Sequence, residues 1–297
     1  MKPAVAISSP VQIKNIVFAT DFSNTAVAAL PFAAQIAKSF GAKLYAVHAK
    51  TPENYALPTT EVWPAANAEV EESTVELRRD LYNRFPSVES EVLIGEGSVW
   101  GVVEAVAEER KADLIVVGTS GRRGIGKFVL GSVAEEILRR ARCPVLTVGP
   151  HTETKPLEEA KFKKILYVTN FGEASVSAVA YAVEFAQEYQ AHLTLLHVIE
   201  HPKVGELVRP HELEAAAIDH LRGLVPAYAE LWCEPKALVL HGSPAEKILE
   251  AAEHEKADLI VMGVRETKGV GRATHLPAAV LHQVVSHAAC PVLTVRA

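Results

Sequence analysis

Cysteine is scarce in this sequence, with three residues in a chain of 297. They are Cys143, Cys233 and Cys290, and no two of them form a CxxC pair. Without such a pair, the spacing gives no indication of a zinc or redox site. Cys143 and Cys290 each precede a proline in equivalent stretches of sequence, which favours a packing role over a disulfide.

The sequence also lacks an excess of positive charge and any long apolar run. Its formal net charge is −6 and its pI is near 6.1, so we expect no nucleic-acid partner. No apolar run is long enough to span a bilayer, and we expect no membrane partner. The first ten residues hold one lysine and a short mixed stretch rather than the apolar core of a signal peptide. We therefore expect a cytoplasmic protein.

The chain contains the same sequence unit twice. Three segments recur in order and at nearly constant spacing: residues 13–22 match 162–171, residues 112–118 match 257–263, and residues 143–148 match 290–295. A repeat this long indicates a duplicated domain rather than a solenoid. The seam at 150–159 is polar, contains two prolines and has no apolar periodicity. We predict one domain at residues 1–150 and a second at 151–297.

Short apolar runs alternate with helical patterns within each copy. In the first copy we predict strands at 13–20, 42–49, 88–94, 113–118 and 145–149, and helices at 26–40, 69–85, 98–110 and from Ser132. Ser23 or Asn24 can cap the first helix, and Gly41 closes it. Strands this apolar, separated by helices, favour a parallel sheet that is covered on both faces. In such doubly wound α/β domains, ligands bind beyond the carboxyl ends of the strands, where the strand order reverses.

A glycine-rich loop follows the fourth predicted strand of the first copy. It runs from Gly118 through Gly121 to Gly131-Ser132, and a helix-like segment follows it. Glycines let the backbone turn and approach a ligand closely. Unpaired amides at a helix start favour an anion such as phosphate. The loop is therefore a candidate phosphate cradle, to which Arg122, Arg123 and Lys127 add positive charge.

Other motifs in the sequence favour less specific interpretations. The run from Gly121 to Phe128 resembles a Walker A loop except at its last position, where phenylalanine cannot ligate Mg²⁺. His48 and His197 occupy equivalent strand ends, which favours a structural role. The further histidines of the second copy form no HExxH motif, and we expect no metal site. Asp21 lies before the first helix and could cap it or face a ligand.

With these features, the chain resembles the universal stress protein family in its tandem two-domain form. Members of that family that bind nucleotides carry Gly, two residues, Gly, nine residues and then Gly-Ser or Gly-Thr, which here is Gly118-x2-Gly121-x9-Gly131-Ser132. The run Asp21-Phe22-Ser23 after the first strand and the closing Cys-Pro-Val-Leu-Thr-Val are also similar to the family. The resemblance extends from about Ile13 to Arg296.

The resemblance implies both a fold and a ligand. The fold would be α/β: two tandem doubly wound five-stranded parallel-sheet domains, Rossmann-like and similar to adenine-nucleotide alpha hydrolases, related by a pseudo-twofold axis. The first copy would bind ATP or a related adenine nucleotide, with or without Mg²⁺, in a stress or regulatory role. Its binding residues would be Ala19, Asp21 and Ala49 around adenine and ribose; Val117, Gly118 and Gly121 against ribose and phosphates; and Gly131, Ser132 and Val133 at the phosphates.

The second copy departs from this pattern. Glu266 replaces the second glycine, Leu276-Pro277 replaces Gly-Ser, and Asn170 replaces the aspartate. A glutamate repels phosphate and a proline removes an amide donor. We therefore expect no ATP in this copy, which would be a structural partner or would hold another ligand near Arg265, Lys268 and Arg272.

Three functions remain open from the sequence. The first is a nucleotide-binding regulatory protein that acts on a protein partner. The second is an ATPase or an adenylate-using enzyme, although no nucleophile with an adjacent base is visible, so we expect at most slow ATP hydrolysis. The third is a scaffold without ligand. The sequence leaves homodimerisation open.

Overall fold

The computed structural model describes residues 11–51, 62–119, 130–153, 160–200, 210–226, 229, 234–264 and 278–296. The described residues divide into two units. The N-terminal unit holds residues from 12 to 150 together with Ala160, and the C-terminal unit holds Val11, residues 151–153 and residues from 161 onward.

Strands and helices alternate in both units. The elements of the N-terminal unit are β1 (Asn15–Ala19), α1 (Asn24–Phe40), β2 (Lys43–Lys50), α2 (Val62–Arg84), β3 (Ser90–Glu96), α3 (Val99–Glu109), β4 (Leu114–Gly118), α4 (Ser132–Arg140) and β5 (Val145–Val148). Those of the C-terminal unit are β6 (Lys164–Val168), α5 (Glu173–Tyr189), β7 (His192–Ile199), α6 (Pro210–Leu224), β8 (Lys236–His241), α7 (Pro244–Glu255), β9 (Leu259–Val264), α8 (Ala278–His287) and β10 (Val292–Arg296).

Each unit contains a five-stranded sheet with the same strand order. It is β3-β2-β1-β4-β5 in the N-terminal unit and β8-β7-β6-β9-β10 in the C-terminal unit. The pairs within each sheet are parallel. The chain leaves the first strand of each unit toward one side of the sheet and later returns to the other side, so the strand order reverses there. The predicted doubly wound α/β fold is confirmed.

Both faces of each central strand are covered. Ile16, Val17 and Phe18 of β1 follow one another and are all fully buried. Successive side chains of a strand point to opposite faces, so a continuous buried run requires cover on both sides. Along β1, polar side chains are therefore confined to the ends of the strand, and the turn after its carboxyl end is where they can face a ligand.

The first helix has caps that the sequence indicated, although it begins at Asn24 rather than at residue 26. The Ser23 hydroxyl accepts a hydrogen bond from the Ala26 amide (3.3 Å), so Ser23 is the N-cap of α1. Gly41 ends the helix with a φ of 63°, and its amide donates to the Ala37 carbonyl. That left-handed conformation favours glycine.

A glycine at the end of the fourth strand of each unit lies against a helix start. A Cβ atom added to Gly118 would lie 3.1 Å from the Thr25 carbonyl carbon and oxygen, at the first turn of α1. At Gly263 an added Cβ would overlap the Ala174 carbonyl and the Ser175 backbone of α5. Close packing between helix and strand thus excludes a Cβ at Gly263 unless the backbone moves, and leaves only tight space for one at Gly118.

We predict that Gly263→Ala destabilises the protein more than Gly118→Ala does. Gly263→Ala should lower the free energy of unfolding by about 3 kcal/mol, because backbone must move, whereas Gly118→Ala should cost about 1 kcal/mol. Urea unfolding followed by circular dichroism measures both. Gly223→Ala on α6 is the control: a Cβ there meets nothing within 4 Å, and the change should raise helix stability by roughly 0.5–1 kcal/mol. Equal costs at Gly118 and Gly263 would contradict this packing argument.

Candidate functional site

The candidate site lies at the carboxyl ends of β1, β2 and β4. Ala19, the last residue of β1, pairs with Val47 of β2 on one side and with Val117 of β4 on the other. The strand order reverses between β1 and β4, and open α/β sheets bind ligands at such a point. The structure thus brings the residues predicted at the ends of these strands to one edge of the sheet.

The turn after β1 is held by hydrogen bonds from its own side chains. The Thr20 hydroxyl accepts from the Phe22 amide (3.0 Å), and Oδ1 of Asp21 accepts from the Ser23 amide (2.9 Å). Phe22 has a φ of 60°, a conformation that costs a residue with a side chain roughly 1 kcal/mol or more. These bonds fix the local backbone conformation around Asp21, which remains partly exposed.

Asp21 is not the N-cap of α1. That role belongs to the Ser23 hydroxyl, whereas Asp21 orders the turn before the helix. A carboxylate held at the end of a first strand can accept hydrogen bonds from ribose hydroxyls, as acidic residues do in other doubly wound domains. The position of Asp21 is compatible with this chemistry, and its contact with a ligand stays a prediction.

The neighbouring strand β2 ties down the same turn. The Thr20 amide donates to the Val47 carbonyl (2.9 Å). Nδ1 of His48 lies 2.9 Å from the Thr20 carbonyl oxygen. Because a carbonyl oxygen only accepts, Nδ1 must carry the hydrogen. The His48 ring also packs against the Phe22 ring, with 4.5 Å between centroids.

The base of the glycine loop is closed by backbone hydrogen bonds. The Thr119 amide donates to the Val148 carbonyl of β5 (2.9 Å), and the Gly131 amide donates to the Thr119 carbonyl (2.7 Å). The two ends of the loop are therefore adjacent, beside the end of β4. Gly121, Arg122, Arg123 and Lys127 lie outside the described residues.

The start of α4 has the features of an anion site. Gly131 is its N-cap, in an extended conformation (φ −64°, ψ 144°) that any residue can adopt, and it offers no capping side chain. The amides of the first turn are the donors that a helix leaves without intrahelical partners, and the helix dipole favours negative charge there. Ser132 is exposed and Val133 is partly buried in this first turn.

The structure adds residues that the sequence argument did not assign to the site. Thr20 and Phe22 shape the turn, and Thr119 closes the loop base. The His48 contact was expected to be structural, but its partner was not foreseen. A usable signal existed in the sequence, since Thr, Phe and the strand-end His recur at the same places in both copies.

The C-terminal unit repeats the turn with a different polar environment. Phe171 again has a φ of 60°, and Nδ1 of His197 again meets the Thr169 carbonyl oxygen (2.8 Å). Asn170 replaces the aspartate, and its Oδ1 accepts from both the Gly172 amide (3.0 Å) and the Ser175 hydroxyl (3.0 Å). The turn keeps its geometry but loses the negative charge.

A buried polar network accompanies Asn170. The Ser175 hydroxyl also lies 2.9 Å from the Thr169 hydroxyl oxygen, and the Tyr167 hydroxyl donates to the Ser175 carbonyl (2.6 Å). Burial raises the pKa of Tyr167 above its ordinary value, so the phenol stays protonated and can donate. Phe18 and Ala26 hold the equivalent positions in the N-terminal unit, so this network belongs to the C-terminal unit.

His197 lies beside further aromatic rings. The Phe171 ring centroid is 4.4 Å from that of His197 and 5.1 Å from that of His220 on α6. Burial, followed by repulsion from His220, lowers the pKa of His197 despite its hydrogen bond to Thr169. His197 is therefore held neutral at a pH where an exposed histidine begins to protonate.

Among the described residues, no group of three or more His, Cys, Asp or Glu side chains could hold a metal ion. In the same part of the chain, none of the helices combines the length and hydropathy needed to cross a membrane.

Comparisons with known proteins point to one family. The sequence profile of the universal stress protein family matches residues 12–149 and again residues 161–296. A universal stress protein of Methanocaldococcus jannaschii is 34% identical over 140 residues, which cover 46% of this chain and 81% of that protein. One of Mycobacterium tuberculosis is 26% identical over 221 residues, 72% of this chain and 70% of that protein.

Solved structures share the fold across the whole chain. The crystal structure of a universal stress protein from Archaeoglobus fulgidus matches with a TM-score of 0.73 and 18% identity, and the match covers 97% of both chains. At this identity the likeness shows the fold.

We predict that His197 makes the protein less stable at acidic pH. Its pKa is lowered in the folded state, so its contribution is fully present above the unfolded value of about 6.5 and is lost as the pH falls through the lower folded pKa. The urea midpoint should therefore fall between about pH 7.5 and pH 5. His197→Asn, which retains a donor for the Thr169 carbonyl, should show a smaller fall. His282→Asn, at an exposed position on α8, is the control and should show the same fall in the urea midpoint as the wild type. Equal falls in the wild type and His197→Asn would contradict the assignment.

Proposed function

Because the chain belongs to the universal stress protein family, we propose that its N-terminal unit binds ATP or a related adenine nucleotide at the carboxyl ends of β1 and β4. The observation that carries the proposal is the spacing Gly118-x2-Gly121-x9-Gly131-Ser132, bracketed by β4 and α4. Glycine at these positions lets backbone amides approach phosphates, and the helix start supplies further amides.

Adenine and ribose would lie over the ends of the strands. Ala19 is the last residue of β1, and Ala49 and Val117 each lie one residue before the ends of β2 and β4. These side chains are small or apolar, which suits contact with the faces of an adenine ring. Asp21 supplies a carboxylate for the ribose hydroxyls. Its hydrogen bond with the Ser23 amide supports this role, because an acceptor held in advance loses little entropy on binding.

The phosphates would lie between the glycine loop and α4. The bond from the Gly131 amide to the Thr119 carbonyl keeps the loop base beside the end of β4. Gly118 approaches α1, and Gly131, Ser132 and Val133 begin α4. A triphosphate there, with or without Mg²⁺, would receive hydrogen bonds from the first-turn amides.

The C-terminal unit would not bind ATP in this way. Asn170 brings no charge to the ribose position, and two protein donors already occupy its Oδ1. The sequence also replaces Gly-Ser by Leu276-Pro277. This unit would serve as a structural partner or hold a ligand of another kind.

The role proposed for ATP is regulatory rather than catalytic. A bound triphosphate would contact the segment between β4 and α4, and occupancy would therefore change the surface that the N-terminal unit presents to a protein partner. Phosphate release by the purified protein separates this role from that of an ATPase, since repeated turnover would contradict a pure binder.

The proposal predicts that Gly131→Asp abolishes most ATP binding. The backbone of Gly131 accepts any residue, and an aspartate there would accept hydrogen bonds from the first-turn amides and repel phosphate. ATP affinity measured by calorimetry should fall at least about tenfold, and adenosine affinity should change little. The thermal midpoint should not fall, because aspartate caps helices well.

The matched control adds the same charge in the other unit. Ser243 is the N-cap of α7 and is exposed, so Ser243→Asp should leave ATP affinity unchanged. A Gly131→Asp protein that binds ATP as tightly as the wild type would refute the phosphate position. A wild type that gives no ATP signal, and no nucleotide in a denaturing extract, would refute the function and favour a scaffold.

A further inference from the structure

His48 connects the candidate nucleotide site to the neighbouring strand. It lies on β2 and is 5% exposed, and its Nδ1 donates to the carbonyl oxygen of Thr20, the residue before Asp21. The carbonyl of Thr20 and the amide of Asp21 belong to one planar peptide group. A bond that fixes this carbonyl therefore fixes the direction in which the Asp21 backbone leaves β1.

The hydrogen bonds within the turn do not fix its orientation relative to the sheet. The Thr20 hydroxyl bonds the Phe22 amide, and the Asp21 carboxylate bonds the Ser23 amide, so both contacts span two residues. Such local bonds shape the turn but would move with it as a unit. Two hydrogen bonds tie the turn to β2: the Thr20 amide donates to the Val47 carbonyl, and Nδ1 of His48 donates to the Thr20 carbonyl.

The His48 ring has a second contact with the turn. Its centroid is 4.5 Å from that of Phe22, with the planes inclined by 33°. Phe22 holds a left-handed backbone conformation that is unfavourable for a residue of its size. Ring packing and the Nδ1 hydrogen bond together hold the residues on both sides of Asp21.

We propose that His48 is a positioning residue, which holds the Thr20–Phe22 turn so that the Asp21 carboxylate meets the ribose of a nucleotide in the N-terminal unit. This role rests on the proposed function. His48 touches no part of the ligand in this proposal and acts through the peptide group before Asp21 and the Phe22 ring after it. The energetic consequence is confined to the nucleoside end of the ligand, because the phosphates lie at α4.

The C-terminal unit supplies an internal control. His197 makes the same bond to the Thr169 carbonyl (2.8 Å), and its ring has the same relation to Phe171, at 4.4 Å and 35°. The residue between Thr169 and Phe171 is Asn170 rather than an aspartate. Loss of the histidine should thus disturb the same turn in both units, but should alter nucleotide affinity only in the N-terminal one.

The test compares His48→Leu, His48→Asn and His197→Leu in the full-length chain, with adenosine and ATP as ligands in calorimetry. His48→Leu removes the donor, and we expect the affinities for adenosine and ATP to fall by the same factor, roughly five- to tenfold. Asparagine carries a donor at the place of Nδ1, so His48→Asn should recover most of the affinity. His197→Leu should lower the urea midpoint and leave both affinities unchanged.

Each contrary result has its own meaning. A folded His48→Leu protein that binds both ligands like the wild type overturns the positioning role and leaves the proposed function intact. A loss for ATP but not for adenosine places the effect at the phosphates and also overturns the role, as does an equal loss in His197→Leu. If His48→Leu does not fold, His48→Asn still tests the role. Should its crystal structure lack the hydrogen bond to the Thr20 carbonyl while its affinities stay normal, the positioning role is overturned. A wild type that binds neither ligand overturns the function, and the positioning role falls with it.

Discussion

The burial of each central strand between two parallel neighbours is the constraint on which the site depends. Ile16, Val17 and Phe18 are covered on both faces, so the middle of β1 is apolar and presents no polar group to a ligand. Parallel strands share one direction, and their carboxyl ends meet at one edge of the sheet. At this edge of the sheet, the turn from Thr20 to Ser23 is the first place where the chain of β1 carries polar side chains.

The two units form the same turn with different electrostatics. Both contain a threonine whose hydroxyl accepts from the turn, a phenylalanine in the left-handed backbone conformation, and a histidine near the end of the neighbouring strand. The geometry of the turn therefore does not depend on a charged residue within it. The change from Asp21 to Asn170 removes a charge, and Ser175 then supplies a donor from inside the protein. Duplication thus preserved the turn while its polar environment diverged.

The glycines at the end of the fourth strands and at the start of α4 are explained by different physical constraints. Gly118 and Gly263 both lie against a helix backbone, so a glycine at the end of the fourth strand is explained by packing and does not by itself indicate a nucleotide. Gly131 is different, since its φ and ψ suit any residue. What glycine contributes there is the absence of a side chain at the helix start, where phosphate would otherwise compete with a cap.

The sequence alone determined the repeat, the alternation of strands and helices, and most element ends, because these follow from local periodicity and from caps such as Ser23 and Gly41. The largest boundary error is at α2, which begins at Val62 rather than near residue 69, because the stretch with Pro64, Ala65 and Ala66 was interpreted as a loop. Smaller differences of about two residues occur at the start of α1 and at both ends of β3. Only the tertiary structure decided the strand order and the partner of His48, which lies 28 residues from Thr20. Pairing and packing join residues that are distant in the chain, and no local pattern encodes which distant groups will meet.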